Sequence, residues 1–428
     1  MGTKRSDSMT LGFALFAMFF GAGNLIFPPF LGFTSGGSWT VGFLCFIAAD
    51  AGLSLLALFT IAAIGDGVEG ITEVLGSKAS KLFLSLSCLC IGPFIAIPRT
   101  GAITYEVGVA PLIKGSGSIA VTGVFFLICF IFAIRRAQVI DLIGKILSPL
   151  MFIALMFLVF RGIIDPVGPV GPSAPLPEVI RNGTISGYQT MDMMGSAVFS
   201  MAIVFEITSR GYKDAKSQFG VIISSGTICG LLLFIVYGGL AWLGATAKDV
   251  YPGDLTQTEL LTKLTLDILG KPGLLILALI VACACMTTAV GLLTSVSSFF
   301  SELTNGKVSY GLFVTVFTLF SWVVSNFGIS VIISIAAPIL QVMFPVLIVL
   351  TVLRLFRKHI KSSFVYTNTS GIAALVALTD TISSLTGVPL GTEHLPLSDM
   401  GFGWVVPALI ASLISLLISY DNTKNSGR

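Results

Sequence analysis

Charged residues are scarce in this chain. Asp, Glu, Lys and Arg make up only 11% of its 428 residues, whereas soluble domains contain about 25%. Hydrophobic residues make up 55%, and the mean hydropathy is +0.97. No long polar stretch separates the apolar runs, which leaves no room for a large soluble domain. The composition therefore predicts an all-α polytopic membrane protein with a single transmembrane domain over residues 1–428.

Residue types needed for most enzyme chemistry are also few. The chain has two histidines, His359 and His394, and its sequence contains no phosphate-binding loop, metal-ligand cluster or nucleophile-elbow motif. We therefore expect neither an enzyme nor a pump with a nucleotide-binding subunit, and no organic cofactor or nucleic-acid partner. The seven cysteines lie inside apolar runs, which predicts free buried thiols rather than disulfides or a metal clamp.

Twelve apolar segments can be marked off, with lengths suited to crossing a lipid bilayer. They cover residues 10–31, 40–64, 80–110, 118–134, 137–161, 189–207, 217–244, 273–300, 309–325, 329–353, 369–387 and 402–420. An even number of crossings places both termini on one side. Most of the 24 Lys and Arg residues then fall on that side as well, which the positive-inside rule identifies as the cytoplasm.

Two connections between these segments have distinctive compositions. Residues 166–188 are rich in Pro and Gly, which predicts an extended loop. Residues 248–271 carry an amphipathic pattern of Leu and Thr, which predicts a helix outside the membrane.

The first apolar segment is interrupted in its middle. It reads MTLGFALFAMFFGAGNLIFPPF over residues 9–30, and Gly21, Gly23 and Asn24 are poor helix formers. Since unpaired backbone groups are costly in lipid, a break persists only where protein or a water-lined cavity satisfies them. Secondary transporters bind cations and substrates at such breaks. A Gly-rich kink that serves close helix packing is the alternative.

Ionisable residues inside apolar segments are candidates for function, because burying a charge in hydrocarbon is costly. Arg99 lies in the third segment and needs a partner. That partner is either a substrate carboxylate or a protein acid, for which Glu106, Asp192 and Asp50 are the candidates. Asp192 opens the sixth segment, where it either takes part in coupling or complements the helix dipole.

The eighth segment carries two adjacent hydroxyl groups, Thr287 and Thr288, near its centre. A single Thr in a membrane helix commonly bonds back to the carbonyl of the preceding turn. Two adjacent hydroxyls together with the free carbonyls of a broken helix would instead form a set of neutral oxygen ligands. A hard cation such as Na⁺ prefers oxygen ligands.

Several long motifs resemble a known family of carriers. GFALFAMFFGAGNLIFPPFLG, GPFIAIPRTGAITYE, YQTMD and CMTTAVGLLTS occur in this order, and they are similar to motifs of the bacterial branched-chain amino acid:cation symporters (the LIVCS, or BrnQ-type, carriers). The resemblance implies a LeuT-type fold, in which two five-helix repeats are inverted and spans 1 and 6 are discontinuous. It assigns the repeats to about residues 10–161 and 189–353, with peripheral helices at about 369–420.

The resemblance also implies where the substrate binds. In the first span the substrate-facing positions would be Phe19, Gly21, Gly23 and Asn24, the last beside either the substrate or a first cation. Tyr105 in the third span would contact the substrate carboxylate. The sixth span has no Gly-rich stretch, so its break is expected at Gly195-Ser196 or Phe199-Ser200, and Phe199 and Ser200 are the expected substrate contacts.

A second implied site would hold a cation between the first and eighth spans. Its ligands would be carbonyls and hydroxyls of Ala17, Phe20, Ala284, Thr287 and Thr288. The spacing of Thr294 and Ser295 also fits this pattern. We prefer Thr287 and Thr288 because they lie nearer the middle of the membrane.

Together these features predict a secondary transporter of the bacterial plasma membrane. It would import leucine, isoleucine or valine together with Na⁺, binding the carboxylate at the half-helix N-terminus of the first break. A proton-coupled carrier, in which Asp192 or Glu106 titrates, is the alternative. A channel would need a continuous polar lining, and the clustering of polar residues disfavours a purely structural or sensory subunit.

Overall fold

The computed structural model describes residues 4–64, 69–135, 148–212 and 214–426, and this part of the chain is helical and contains no β-strand. Its α-helices are, in chain order, α1 Lys4–Phe19, α2 Ala22–Ser35, α3 Trp39–Ile47, α4 Leu53–Ile64, α5 Glu69–Thr72, α6 Ser77–Leu89, α7 Ala96–Ile103, α8 Ser118–Arg135, α9 Ser148–Ile164, α10 Leu176–Thr190, α11 Asp192–Ser209, α12 Ala215–Ala245, α13 Gln257–Leu303, α14 Tyr310–Ser325, α15 Ile329–Leu355, α16 Ser363–Thr386 and α17 Val405–Ser426. Each predicted apolar segment overlaps one or more of these helices. Residues 137–147 of the fifth segment lie outside the described residues.

Long apolar helical runs dominate the molecule. Within the described ranges, six runs are long and apolar enough to cross a membrane: Ala22–Ile64, Ser77–Val109, Ser118–Arg135, Lys216–Ala245, Gln257–Leu303 and Ile329–Leu355. Shorter apolar helices cover Ser6–Phe19, Pro149–Ile164, Tyr310–Ser325 and Val405–Tyr420. Many large apolar side chains on these helices remain exposed, as expected of a surface that faces lipid.

The predicted break in the first span is confirmed. Helix α1 ends at Phe19 and α2 begins at Ala22, with Phe20 and Gly21 between them. The amides of Phe20 and Gly21 donate to the carbonyls of Phe16 and Phe19, at 2.7 and 2.8 Å. The last carbonyls of α1 and the first amides of α2 therefore lack the partners that a continuous helix would supply.

The sixth span is also broken, but not where the sequence suggested. Helix α10 ends at Thr190 and α11 begins at Asp192, and Met191 between them has a left-handed backbone with φ 66°. The predicted break points Gly195-Ser196 and Phe199-Ser200 lie inside α11, so that prediction was wrong. Left-handed backbone normally favours glycine, and a methionine in this position leaves no signal in the sequence.

The two connections differ in how well they were predicted. The Pro-rich loop is shorter than expected, because α10 already begins at Leu176. Helices accept proline in their first turn, and Pro177 is the second residue of α10. The amphipathic helix expected over residues 248–271 is confirmed: α13 begins at Gln257 and turns at Gly270, where φ is 69°.

The second and third spans contain π-helical turns, at Ala48–Gly52, Cys90–Phe94 and Thr104–Val109. Such turns disturb the regular hydrogen bonding of a helix and are frequent at functional sites. The first of them carries Asp50 and the last carries Glu106.

Helix α2 packs against α12 through two glycines. A Cβ atom at Gly32 would overlap the carbonyl of Ala241, and one at Gly244 would overlap the carbonyl of Pro29. Only glycine allows the two backbones to approach this closely. The contact fixes the half-helix whose N-terminus forms the first break.

Candidate substrate and cation site

The two helix breaks meet at one small buried cavity, which is lined by residues of α1, α2, α7, α10, α11 and α13. Its free volume is about 30 Å³, enough for one or two water molecules. The helices are thus closed around the site. Among the predicted functional residues, the following line the cavity: Phe19, Gly21, Asn24, Arg99, Asp192 and Thr288.

The N-terminus of α2 faces this cavity. The amide of Gly21 donates to the side-chain oxygen of Asn24 at 3.3 Å, so this helix start is capped from within its own first turn. The next amides, of Ala22 and Gly23, belong to the first turn, where backbone N–H groups and the helix dipole favour an anion. This end of the cavity suits a carboxylate.

Arg99 joins the third span to the broken sixth span. Its side chain is 4% exposed, and it donates to the carbonyl oxygens of Gln189 at 2.5 Å and Thr190 at 3.2 Å. The guanidinium thus caps the free C-terminal end of α10, where a positive charge is favoured. It also lies over the ring of Phe27 at 5.7 Å. Asp192 and Asp50 attract it at longer range.

Asn24 connects three helical elements through its side-chain amide. The Nδ2 atom lies 2.7 Å from Oδ2 of Asp192, 2.6 Å from the hydroxyl of Tyr237 and 3.4 Å from Oδ2 of Asp50. All four residues are buried. Their mutual bonds satisfy polar groups that would otherwise be costly in the apolar interior.

Asp50 and Asp192 form a pair of neighbouring carboxyl groups. They lie within hydrogen-bonding distance of each other, and Asp50 also accepts from the hydroxyl of Thr190 at 2.7 Å. Two adjacent carboxylates cannot both remain charged in a buried site without compensation. The pair therefore needs a shared proton or a nearby cationic group.

Thr288 supplies a hydroxyl at the first break. Its oxygen is buried and has no hydrogen-bond partner in the described part of the chain, and it lies 3.3 Å from the position of a Cβ at Gly21. Thr287 donates instead to the carbonyl of Ala284 at 2.8 Å. Thr294 donates to the carbonyl of Val290 at 2.8 Å and does not line the cavity. The structure thus brings Thr288, rather than Thr294, to the break.

At one end of the molecule α1 is tied to α11. Arg210 pairs with Asp7 at 3.1 Å and with Glu206 at 2.9 Å, and the hydroxyl of Tyr212 donates to Asp7 at 2.8 Å. These contacts hold the two half-helices together beyond the cavity.

Comparison with known proteins identifies the kind of molecule that carries this site. A family model described as "Branched-chain amino acid transport protein" matches residues 4–422. The chain belongs to this family. Family membership confirms the resemblance found in the sequence, and it makes the protein a transporter and not an enzyme.

Two bacterial relatives match nearly end to end. The branched-chain amino acid permease BraB of Bacillus subtilis is 33% identical over 426 residues, covering 96% of this chain and 95% of the relative. The branched-chain amino acid transport system 2 carrier protein of Pseudomonas aeruginosa is 35% identical over 428 residues, with 97% and 96% covered.

Solved structures with the same fold are other transporters. Mhp1, a nucleobase-cation-symport-1 family transporter in a closed conformation, superposes with a TM-score of 0.64 at 14% identity, covering 98% of this chain and 93% of Mhp1. A Na⁺-coupled sialic acid symporter gives a TM-score of 0.57 at 15% identity, with 96% and 90% covered. At these identities the likeness shows the fold alone, and it confirms the predicted LeuT-type architecture.

Some predicted residues of the transporter lie away from the cavity. Tyr105 donates its hydroxyl to the carbonyl of Ser116 at 2.9 Å, so its expected contact with the substrate carboxylate does not fit this geometry. Glu106 accepts from the amide of Ile329 and the hydroxyl of Thr258, each at 2.9 Å, and stabilises the start of α15. It makes no contact with Arg99.

The remaining predictions for the sixth span are also not supported by the cavity. Ser200 is buried inside α11 and does not line it, and the side chain of Phe199 lies outside the described residues. The cation ligand set of Ala17, Phe20, Ala284, Thr287 and Thr288 stays a prediction, as do the boundaries of the two repeats.

The residues of the apolar wall were not singled out from the sequence, and neither were Thr190 and Met191 at the second break or Tyr237 beside Asn24. Thr190 lies in the YQTMD motif, whose resemblance drew attention only to its aspartate. Tyr237 follows an apolar stretch in which nothing marks its hydroxyl as special.

Proposed function

We propose that the protein imports branched-chain amino acids across the bacterial plasma membrane by symport with Na⁺. The observation that carries this proposal is the cavity at the two breaks, where polar groups face an otherwise apolar wall that includes Met18, Ile91 and Leu292. Such a wall suits an aliphatic side chain because it offers that group no competing polar partner. Both bacterial relatives are named for branched-chain amino acids.

The carboxylate of the substrate would bind at the N-terminus of α2. The amides of its first turn and the helix dipole favour a negative group there, and the Arg99 guanidinium packs directly against Gly23, with Nη2 2.9 Å from a Cβ built at that glycine. A second positive group beside the amides strengthens this preference.

The co-transported cation would bind between the end of α1 and Thr288. The C-terminal end of a helix carries a partial negative charge, and the unpartnered hydroxyl oxygen of Thr288 lies beside this end. A cation there would draw α1 and α13 together. It would thereby favour one of the conformations between which the carrier alternates.

Release into the cell would require the half-helices to separate at the Asp7–Arg210–Tyr212 contact, which we assign to the cytoplasmic end. The excess of Lys and Arg in connections on the side of the termini supports this orientation. Both termini are then cytoplasmic.

The test is leucine uptake into proteoliposomes that contain the purified protein. Uptake should rise with an inward Na⁺ gradient and not with a proton gradient alone. Thr288→Ala should raise the Na⁺ concentration for half-maximal uptake, because one ligand oxygen is lost. Thr288→Ser keeps the hydroxyl and should restore the wild-type value. Thr294→Ala on the same helix is the matched control and should change nothing.

A specific observation favours proton coupling as the second candidate. Asp50 and Asp192 are buried carboxyl neighbours, and such a pair can take up and release a proton during a transport cycle. Uptake that follows the proton gradient, ignores Na⁺ and is unchanged by Thr288→Ala would replace the Na⁺ proposal with this one. Uptake driven by neither gradient would refute both.

A further inference from the structure

The charges that line the substrate cavity are arranged as a pair of opposite sign. Within the described residues, Arg99 and Asp192 are the ionisable side chains in its wall. Arg99 stands beside the N-terminus of α2, where Gly23 packs against its guanidinium. Asp192 begins α11, on the other broken span. The cavity therefore offers a positive and a negative group to the same ligand.

Asp192 and Asp50 differ in what the protein provides for them. Asp50 is 0% exposed and is bonded by Thr190, by Asn24 and by Tyr237, and it does not line the cavity. Asp192 is 8% exposed, and its Oδ2 accepts from Asn24 at 2.7 Å. Asp192 is also hydrogen-bonded to Asp50, but of the two only Asp192 lines the cavity, so Asp192 is the carboxyl group within reach of a ligand.

Arg99 retains an unused donor. Its two Nη atoms bind the carbonyls of Gln189 and Thr190, whereas the buried Nε atom has no partner in the described part of the chain. A buried N–H group without a partner is costly. Because the side chain lines the cavity, a ligand carboxylate is a suitable acceptor for this group.

We propose that Asp192 binds the ammonium group of the substrate and so makes the carrier selective for α-amino acids over α-keto acids with the same side chain. This inference rests on the substrate site proposed above. Asp50 is a positioning residue: it is hydrogen-bonded to Asp192 directly and to Asn24, which also holds the carboxyl group of Asp192.

The selectivity has a direct physical origin. A keto acid keeps the carboxylate and the aliphatic chain but replaces the ammonium by a carbonyl, which cannot donate to Asp192. The carboxyl group of Asp192 would then lose water from the cavity without gaining a donor from the ligand. Sites that hydrogen-bond a substrate group reject analogues lacking that group much more strongly than apolar pockets reject a missing methylene.

The experiment is calorimetric titration of the purified full-length protein at constant pH and saturating Na⁺. Leucine and its keto analogue, 4-methyl-2-oxopentanoate, are titrated separately. In the wild type the keto acid should bind at least about 10- to 100-fold more weakly, the range expected for a hydrogen bond to a charged group. In Asp192→Asn the affinity for leucine should fall by a similar factor. The affinity for the keto acid should stay or improve, so that the ratio approaches unity.

Two further variants separate binding from general damage. Asp50→Asn should bring the ratio closer to unity, but less than Asp192→Asn does, because Asp50 acts on the ligand only by holding the carboxyl group of Asp192. Asp399→Asn is the matched control: this carboxylate is exposed and does not line the cavity, and its replacement should change neither affinity. If Asp192→Asn does not fold, the proposal is tested by the wild-type protein alone: equal affinities for leucine and the keto acid would overturn it.

The outcomes distinguish this inference from the function on which it rests. Leucine binding with an equally tight keto acid, or an unchanged ratio in Asp192→Asn, would overturn the role of Asp192 and leave the transporter proposal intact. Absence of leucine binding to the wild-type protein would overturn both.

Discussion

The close contact between α2 and α12 makes a sharp prediction for Gly32→Ala. One added methyl group would overlap the carbonyl oxygen of Ala241, which is backbone and can yield only if a whole helix moves. Gly244 of α12 makes the reciprocal contact with the carbonyl of Pro29, so α2 cannot relieve the overlap by sliding along α12. Overpacking of this kind typically costs about 1–3 kcal/mol, and the upper end applies because no flexible side chain can absorb the clash.

The assay is thermal unfolding of the purified protein in detergent, followed by tryptophan fluorescence, together with leucine uptake in proteoliposomes. Gly32→Ala should melt several degrees below the wild type. Its uptake should fall, because the N-terminus of α2 moves with the helix. Gly371→Ala is the matched control: this glycine is an exposed residue of α16, and a Cβ added there would meet no neighbouring atom within 4 Å.

At Gly371 the substitution should raise the melting temperature slightly, since alanine is favoured over glycine in a helix by about 0.5–1 kcal/mol. Comparing the two variants separates the effect of the close helix contact from the general effect of replacing glycine by alanine in a helix. Equal melting temperatures for Gly32→Ala and Gly371→Ala would refute the claim that the two backbones are in contact.

Two other predictions concern Arg99 and Glu259. Arg99→Lys keeps the positive charge but not the planar guanidinium, so the side chain can no longer donate to the carbonyls of both Gln189 and Thr190. We expect the free energy of unfolding to fall by about 1.5–3 kcal/mol, which thermal unfolding would measure. An unchanged stability would show that this cap is unimportant. The pKa of Glu259 lies below its usual value because its carboxylate accepts hydrogen bonds from Thr256. The resulting stabilisation is present above the ordinary glutamate pKa of about 4.3 and is lost as the pH falls through the lower folded value. The protection of residues 257–270 against hydrogen exchange, measured relative to the intrinsic exchange rate at each pH, should therefore fall in acid, and Glu259→Gln should abolish that dependence.

The sequence predicted the first break because its cause is local. Gly21, Gly23 and Asn24 are weak helix formers at the centre of an apolar segment, and lipid makes such a weakness informative. The helical class, the apolar segments and the family resemblance follow from equally local patterns.

The second break could not be predicted because its cause is distant in the sequence. Arg99 holds the carbonyls that end α10, and Asp50 holds the hydroxyl of Thr190, 140 residues away. These tertiary contacts stabilise the left-handed backbone of Met191, which local propensity would not favour. Tyr105 shows the opposite error: its partner is the nearby carbonyl of Ser116, and the resemblance had assigned it to the substrate.

The contacts of Asn24 also constrain how the family can diverge. An amide nitrogen has two hydrogens, but three acceptors surround Asn24, on the second, sixth and seventh spans. The nitrogen can donate to only two of them at a time, and the hydroxyl of Tyr237 can direct its own hydrogen to Asp50, so the four side chains form a single arrangement of donors and acceptors. A substitution at one of these four positions should therefore be rare unless the others are substituted as well. Across the family, positions 24, 50, 192 and 237 are expected to be inherited as a unit.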